Sequence, residues 1–87
     1  MKKPKTQLSE TLYYLLSRDS INRKQMLFDT GILNLTARIS DLRGLNLDIN
    51  CVKIKTTNKF ERKIEYGKWL LADKKKGLQI YNEINND

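Results

Sequence analysis

Residues 35–43 have the sequence LTARISDLR, and the rest of the chain is arranged around them. Leu35, Ile39 and Leu42 recur at the i, i+4 and i+7 spacing that places apolar side chains on one side of an α-helix. Asn34 precedes this pattern and is a residue type that caps helix N-termini. The spacing therefore predicts a short amphipathic helix that starts after Asn34 and includes the whole segment.

The side of this helix that faces away from the apolar stripe carries small side chains and two arginines. They are Thr36, Ala37, Ser40 and Asp41, with Arg38 and Arg43 on the flanks. A helix that only faces solvent usually carries Lys and Glu there. Small side chains allow close approach to a surface, and guanidinium groups favour an anionic one. We therefore interpret the segment as a DNA recognition helix.

The composition restricts the class of protein. Seventeen Lys and Arg against ten Asp and Glu give a formal net charge of +7 on 87 residues, which favours an anionic partner such as nucleic acid. A chain of this length forms one small domain. The single cysteine allows no internal disulfide, and without histidine a metal site is not expected. Because Cys51 lies in a strand-like run, we expect it to be a small core or sheet residue.

Several functional classes are not expected from this sequence. It has no histidine, no glycine-rich phosphate loop and no suitably spaced carboxylate pair, so we expect neither an enzyme nor a cofactor. No run approaches the ~20 apolar residues that span a bilayer, and the basic start is not followed by the apolar region of a secretory signal. We expect a soluble, cytoplasmic protein.

Two helices are predicted before the central segment. The first begins near Thr6, with either Thr6 or Ser9 as its cap, and its apolar pattern stops at residues 18–20. The second lies within residues 20–31 with Asn22 as its cap. Met26, Leu27 and Phe28 are predicted to form the buried side of the second helix. Gly31 can take the positive φ of the turn that follows. Helix, glycine-containing turn and helix form the outline of a helix-turn-helix.

A cation-rich β-hairpin is predicted after the central helix. Asn46 is suited to end that helix in the left-handed conformation. Residues 48–56 and 63–71 alternate polar and apolar side chains as half-buried strands do, and residues 57–62 form the turn. Between the first and last lysine of this region there are six cations and only Glu61 and Glu65 as acids; the cations are Lys53, Lys55, Lys59, Arg62, Lys63 and Lys68.

The two ends of the chain carry the remaining predicted features. Residues 1–5 form a flexible basic arm, which either has no role or follows a groove or phosphates. Asp73 caps a last helix that runs to about residue 84. Leu78, Tyr81 and Ile84 form an apolar edge on that helix, which either docks on the domain's own core or makes a homodimer or array contact. We therefore divide the chain into residues 1–5, 6–71 and 72–87.

The order of elements and several motifs resemble the small winged helix-turn-helix domains encoded by phages and other bacterial mobile elements. The resemblance covers about residues 6–71 and rests on the segment LTARISDLR and on four further matches. These are Ile21 with Asn22, Ile49, Asn58 with Lys59, and YGKWLL at residues 66–71. It implies an α+β fold with three helices, a hairpin wing and a C-terminal helix. It also implies duplex binding, usually by a repressor, an excisionase-like accessory factor or another regulator of a mobile element.

Two positions depart from the pattern of that family. Asn46 stands where the family commonly has glycine, and Asn tolerates the same left-handed geometry. The wing has no glycine near Phe60, which predicts a different turn. Phe60 at the tip either inserts into a minor groove or a partner's pocket, or folds back on the hairpin.

These features lead to a specific expectation: sequence-selective binding of double-stranded DNA without catalysis. The candidates for base contact are Asn34, Thr36, Ala37, Ser40 and Arg43. The candidates for phosphate contact are Arg23, Lys24, Arg38, Lys53, Lys55, Lys59, Arg62 and Lys63. For Arg38 we expect an ion pair with Asp41 that braces the helix, in preference to a base contact. The alternatives are RNA binding and a protein-interaction winged helix that blocks an acidic or nucleic-acid-binding surface of a host protein.

Overall fold

A computed structural model describes residues 2–85 as four helices and one β-hairpin. The element bounds are α1 Gln7–Ser17, α2 Arg23–Thr30, α3 Leu35–Arg43, β1 Ile49–Thr57, β2 Lys63–Leu71 and α4 Lys74–Ile84. The predicted α+β class and the order of elements are confirmed. Position 1 of the predicted arm and positions 86 and 87 of the predicted C-terminal segment lie outside the described residues.

Each helix begins after a capping side chain. The caps are Thr6, one of the two predicted alternatives for α1, and the predicted residues Asn22, Asn34 and Asp73. In each case the side-chain oxygen accepts a hydrogen bond from the backbone N–H three residues later, at 2.8–3.2 Å. The turn after α2 depends on Gly31, whose φ of +76° is strained for other residue types. These local signals fix where the helices start and where α2 ends.

The two strands form one antiparallel ladder that runs from the pair Ile49 and Leu71 to the pair Thr57 and Lys63. The loop between them is held by the Asn58 side chain, whose oxygen accepts from the backbone N–H groups two and four residues later, at 2.9 and 3.0 Å. Glu61 takes the left-handed position of this loop, with a φ of +66°. The sequence predicts a different turn because the loop has no glycine near Phe60. In the structure Glu61 occupies the left-handed position where a glycine would be unstrained.

The core lies between the helices and the base of the hairpin. It consists of Leu12, Leu15, Ile21, Met26, Ile32, Leu35, Ile39, Leu42, Leu47, Ile49, Trp69, Leu71 and Tyr81. The predicted stripe of α3 is included completely. The prediction for α2 is wrong for Leu27 and Phe28, which are 46% and 90% exposed. Successive helical residues point about 100° apart, so a helix that contacts the core on one side buries Met26 and turns the next two residues away.

Ile21 forms an isolated bridge with Trp69 of β2. Each residue donates its N–H to the carbonyl oxygen of the other, at 2.9 Å. The bridge fixes the start of α2 against the hairpin. The sequence identifies Ile21 only as an apolar residue before a cap, and the bridge itself was not predicted.

The first described residues bond to the C-terminal part of α4. The Tyr81 hydroxyl donates to the carbonyl oxygen of Lys2, and the Asn85 side chain donates to that of Lys3 at 2.9 Å and accepts from the N–H of Lys5 at 3.1 Å. Residues 2–5 of the predicted arm therefore lie against α4 in the structure. Of the predicted apolar edge, Tyr81 is fully buried in the core, whereas Leu78 is 42% exposed.

Candidate nucleic-acid interface

The outer side of α3 is open to solvent. Thr36, Ser40 and Asp41 are exposed and Ala37 is half-buried, whereas the stripe on the opposite side is buried. An exposed helix face of small residues can approach another surface closely. We use the term candidate interface for this face, the start of α2 and the hairpin.

Arg23 links the start of α2 to the first turn of α3. Its Nη2 donates a hydrogen bond of 2.7 Å to the Thr36 hydroxyl. Both residues are exposed, so the guanidinium lies at the surface beside the small-residue face of α3. This bond joins a predicted phosphate contact to a predicted base contact, and no local pattern in the sequence indicates it.

Arg38 takes part in bonds within the protein. Its Nε donates to Asp41 Oδ2 at 3.1 Å, which is the ion pair expected from the i, i+3 spacing. Its Nη1 also donates to Oε1 of Gln7 at the start of α1, at 3.2 Å. The bracing role of Arg38 is therefore present in the structure, and it extends from α3 to α1.

Arg43 and Asn34, two predicted base contacts, also bond to the backbone. The Nε and Nη2 of Arg43 donate to the carbonyl oxygen of Ile49 at 3.2 and 2.7 Å, which ties the last turn of α3 to the first residue of β1. The side-chain oxygen of Asn34 accepts from the N–H of Ala37 at 3.2 Å. Both contacts stabilise the ends of α3.

The hairpin carries a group of exposed cations, namely Lys53, Lys55, Lys59, Arg62 and Lys63. Lys53 Nζ lies 3.5 Å from Glu65 Oε1 on the paired strand. Among the residues that the structure describes, the other four have no carboxylate within ion-pair distance, which is 4.0 Å. An ion pair between exposed groups is weak, so Lys53 can leave Glu65 for another anion. The hairpin therefore presents an excess of positive charge.

Phe60 projects from the hairpin tip. Its side chain is 79% exposed, and the Nζ of Lys59 lies 5.2 Å from its ring centroid. The predicted alternative in which Phe60 folds back on the hairpin is therefore wrong.

A groove separates the start of α2 from β2. Its volume is about 720 Å³, and it runs between residues 22–24 on one side and residues 64–67 on the other, with Trp69 also in its lining. Lys24, an exposed residue with no ion pair among the described residues, is part of the α2 wall together with Arg23. The groove therefore brings the cations of α2 into one region with the hairpin.

The described residues also bear on metal binding, membrane spans and the single cysteine. In residues 2–85 no group of three or more Cys, Asp or Glu side chains could hold a metal ion. None of the described helices combines the length and apolar character that crossing a membrane requires. Cys51 is an exposed sheet residue, so of the two predicted placements the strand is right and the core is wrong.

Two tyrosines outside the candidate interface have raised pKa values. Burial raises the pKa of Tyr81 on α4. Burial also raises the pKa of Tyr14 on α1, and the hydrogen bond from its hydroxyl to Asp29 Oδ2 at 3.2 Å adds to this effect. Both raised pKa values favour the neutral phenol, and both result mainly from the packing of the two side chains within the domain.

No protein-family model matches this chain, and searches of curated proteins and of solved structures also give no match.

Proposed function

We propose that the chain is a winged helix-turn-helix domain that binds double-stranded DNA, with α3 in the major groove and the hairpin on the phosphates. The observation that carries the proposal is the bond from Arg23 to Thr36, which holds a guanidinium beside an exposed helix face of small residues. A major groove about 12 Å wide admits one α-helix. Small outer side chains let the helix lie deep enough for short hydroxyls to reach base edges.

The proposed base contacts are Thr36, Ala37 and Ser40. Hydroxyl groups can donate to or accept from several bases, and an alanine methyl can contact the methyl group of thymine. Asn34 and Arg43 are assigned to the ends of α3, because their side chains already bond to Ala37 and Ile49. In this arrangement the selectivity for DNA sequence comes from the side chains of three residues only.

The proposed phosphate contacts are Arg23 and Lys24 at the start of α2 and the exposed cations of the hairpin. Contacts of this kind set the position of a protein on the duplex without identifying its sequence. A single module of this size buries roughly 600–1,000 Å² of protein surface. We therefore propose that selective binding uses repeated half-sites occupied by more than one copy.

The biological role that fits this proposal is regulation of a phage or mobile element in the cytoplasm, as a repressor or as an accessory factor in recombination. No catalytic step is part of the role. The protein-interaction alternative uses the same cationic surface, and the experiment below distinguishes the two.

The test is fluorescence anisotropy with a labelled random duplex over a series of salt concentrations. Seven phosphate contacts predict a slope of log Kobs against log salt of about −6. Selection of bound sequences from a random duplex pool should then give a short motif that is repeated. Absence of binding at low salt would reject the proposal in favour of the protein-interaction alternative. Equal binding to an RNA duplex would reject the assignment to DNA, because its deep, narrow major groove does not admit a helix.

A further inference from the structure

The edge of β2 that faces α2 has unpaired backbone groups. Trp69 exchanges both of its backbone hydrogen bonds with Ile21, so its N–H and C=O point away from β1. In an antiparallel strand, residues two positions apart direct these groups to the same side. Gly67, Glu65 and Lys63 therefore present theirs at the same edge, and within residues 2–85 no backbone group pairs with them there.

This edge is continuous with the groove. Residues 64–67 line the groove on one side and residues 22–24 line it on the other. Ile21 already pairs with β2 as a single-residue third strand, and the chain then leaves the sheet to form α2. The place that a third strand would occupy beyond Ile21 is the groove itself.

We propose that the edge of β2 from Lys63 to Gly67 binds an extended acidic segment of a partner protein, which adds to the hairpin as a third strand. Main-chain hydrogen bonds to an exposed edge provide affinity in this kind of recognition, and alternate side chains provide specificity. The proposal goes beyond duplex binding and does not depend on it.

The charges and the lining of the groove indicate the chemistry of the partner. Arg23 and Lys24 form the opposite wall, and Lys63 lies at the far end of the free edge. Glu65, the one acid among the groove-lining residues, already lies 3.5 Å from Lys53. Tyr66 is 41% exposed and adds apolar surface beside the edge. A strand that alternates acidic and apolar side chains matches this set.

A second copy of the chain is a poorer occupant of the groove. Neighbouring strands lie about 4.8 Å apart, so a β2 from another copy would bring its own β1 into the region of residues 22–24. A single extended segment brings no second strand with it. The groove therefore suits a peptide more than a hairpin.

The experiment uses the full chain labelled with ¹⁵N and a blocked heptapeptide of sequence EVEVEVE as the probe. Amide shifts and slowed hydrogen exchange are expected at Lys63, Glu65 and Gly67, with saturation at peptide concentrations of up to about 1 mM. The peptide KVKVKVK should bind at least about tenfold more weakly, and so should EVEPEVE, because proline cannot donate to the ladder. Equal binding of all three peptides, or shifts that map to other residues, would overturn the proposal.

Two matched variants test the edge directly. Glu65→Pro removes an outward N–H from the free edge of β2, whereas Lys55→Pro removes one from the outer edge of β1. We expect loss of peptide binding at least about tenfold with Glu65→Pro only. Equal loss in both variants would contradict the assignment to β2. If Glu65→Pro does not fold, the amide shifts of the unsubstituted chain with peptide show whether the peptide binds at the β2 edge.

Two further measurements distinguish binding of an acidic partner from self-association of the chain and from duplex binding. If the amides at the β2 edge become protected as the chain alone is concentrated, a second copy is the occupant and the proposal of an acidic partner is wrong. Duplex binding is measured without peptide, so its failure and the failure of peptide binding are independent results.

Discussion

Arg23 at the start of α2 donates a 2.7 Å hydrogen bond to the hydroxyl of Thr36 in the first turn of α3. The two residues are thirteen positions apart, and each belongs to a different helix of the helix-turn-helix outline. The bond limits the rotamers of a long, exposed guanidinium. A cation held in this way loses less conformational freedom when it meets a phosphate.

Replacing Thr36 with Val should weaken duplex binding by roughly tenfold, or about 1.4 kcal/mol, because it removes the hydroxyl that orients Arg23 and contacts bases. The free energy of unfolding should stay within about 0.5 kcal/mol, since the site is exposed. Anisotropy and urea denaturation measure the two quantities. Ser17→Ala removes an exposed hydroxyl at the end of α1, outside the candidate interface, and is the control that should leave binding nearly unchanged. Unchanged duplex binding in Thr36→Val would mean that the hydroxyl and its bond to Arg23 have no role in binding.

Replacing Arg43 with Met should lower the free energy of unfolding by about 1–2 kcal/mol, because hydrogen bonds from a charged group to the Ile49 carbonyl are lost. Urea denaturation measures the effect, with Arg62→Met in the hairpin loop as the control. A loss of sequence selectivity in Arg43→Met without loss of stability would show that Arg43 contacts bases after all.

Replacing Glu61 with Gly should stabilise the protein by roughly 0.5–1 kcal/mol. Glu61 has a φ of +66°, where a side chain costs about 1–2 kcal/mol, and part of the relief is offset by the greater freedom of glycine in the unfolded chain. Thermal unfolding provides the measurement. Arg62→Gly in the same loop has no such strain to relieve and should destabilise. A stabilisation of the same size in both variants would contradict the explanation.

The stability of the protein should fall as the pH rises above about 10. Burial raises the pKa of Tyr81 in the folded state, so the unfolded chain releases that proton first and gains stability relative to the fold. Tyr81→Phe should reduce this alkaline loss and should also release Lys2, since its hydroxyl donates to the carbonyl oxygen of that residue. Urea midpoints at neutral and alkaline pH test this, with Tyr66→Phe as the control. An unchanged alkaline loss in Tyr81→Phe would contradict it.

The sequence predicts the elements well because their signals are local. Thr6, Asn22, Asn34 and Asp73 cap the helices as their side-chain chemistry indicates, and the alternation after residue 48 identifies the hairpin. The error at Leu27 and Phe28 has a local cause as well. An eight-residue helix with three consecutive apolar residues does not show which of them faces the core.

The contacts between distant residues could not be predicted in the same way. The bond from Arg43 to Ile49, the bond from Arg23 to Thr36 and the bridge of Ile21 to Trp69 depend on how the helices and the hairpin are positioned in space. Periodicity and capping describe single elements and contain no information on these pairs. The free edge of β2 follows from the bridge and was therefore not predicted either.

A comparison of duplex binding by the unsubstituted chain, Ser40→Glu and Gln79→Glu tests most directly whether the outer face of α3 contacts the duplex. Both variants add one negative charge at an exposed helical position, the first on the small-residue face of α3 and the second on α4. Ser40→Glu should lower affinity for a random duplex at low salt by at least about tenfold, or 1.4 kcal/mol, whereas Gln79→Glu should change it less than about threefold. Equal affinity of Ser40→Glu and the unsubstituted chain would show that the outer face of α3 does not meet the duplex.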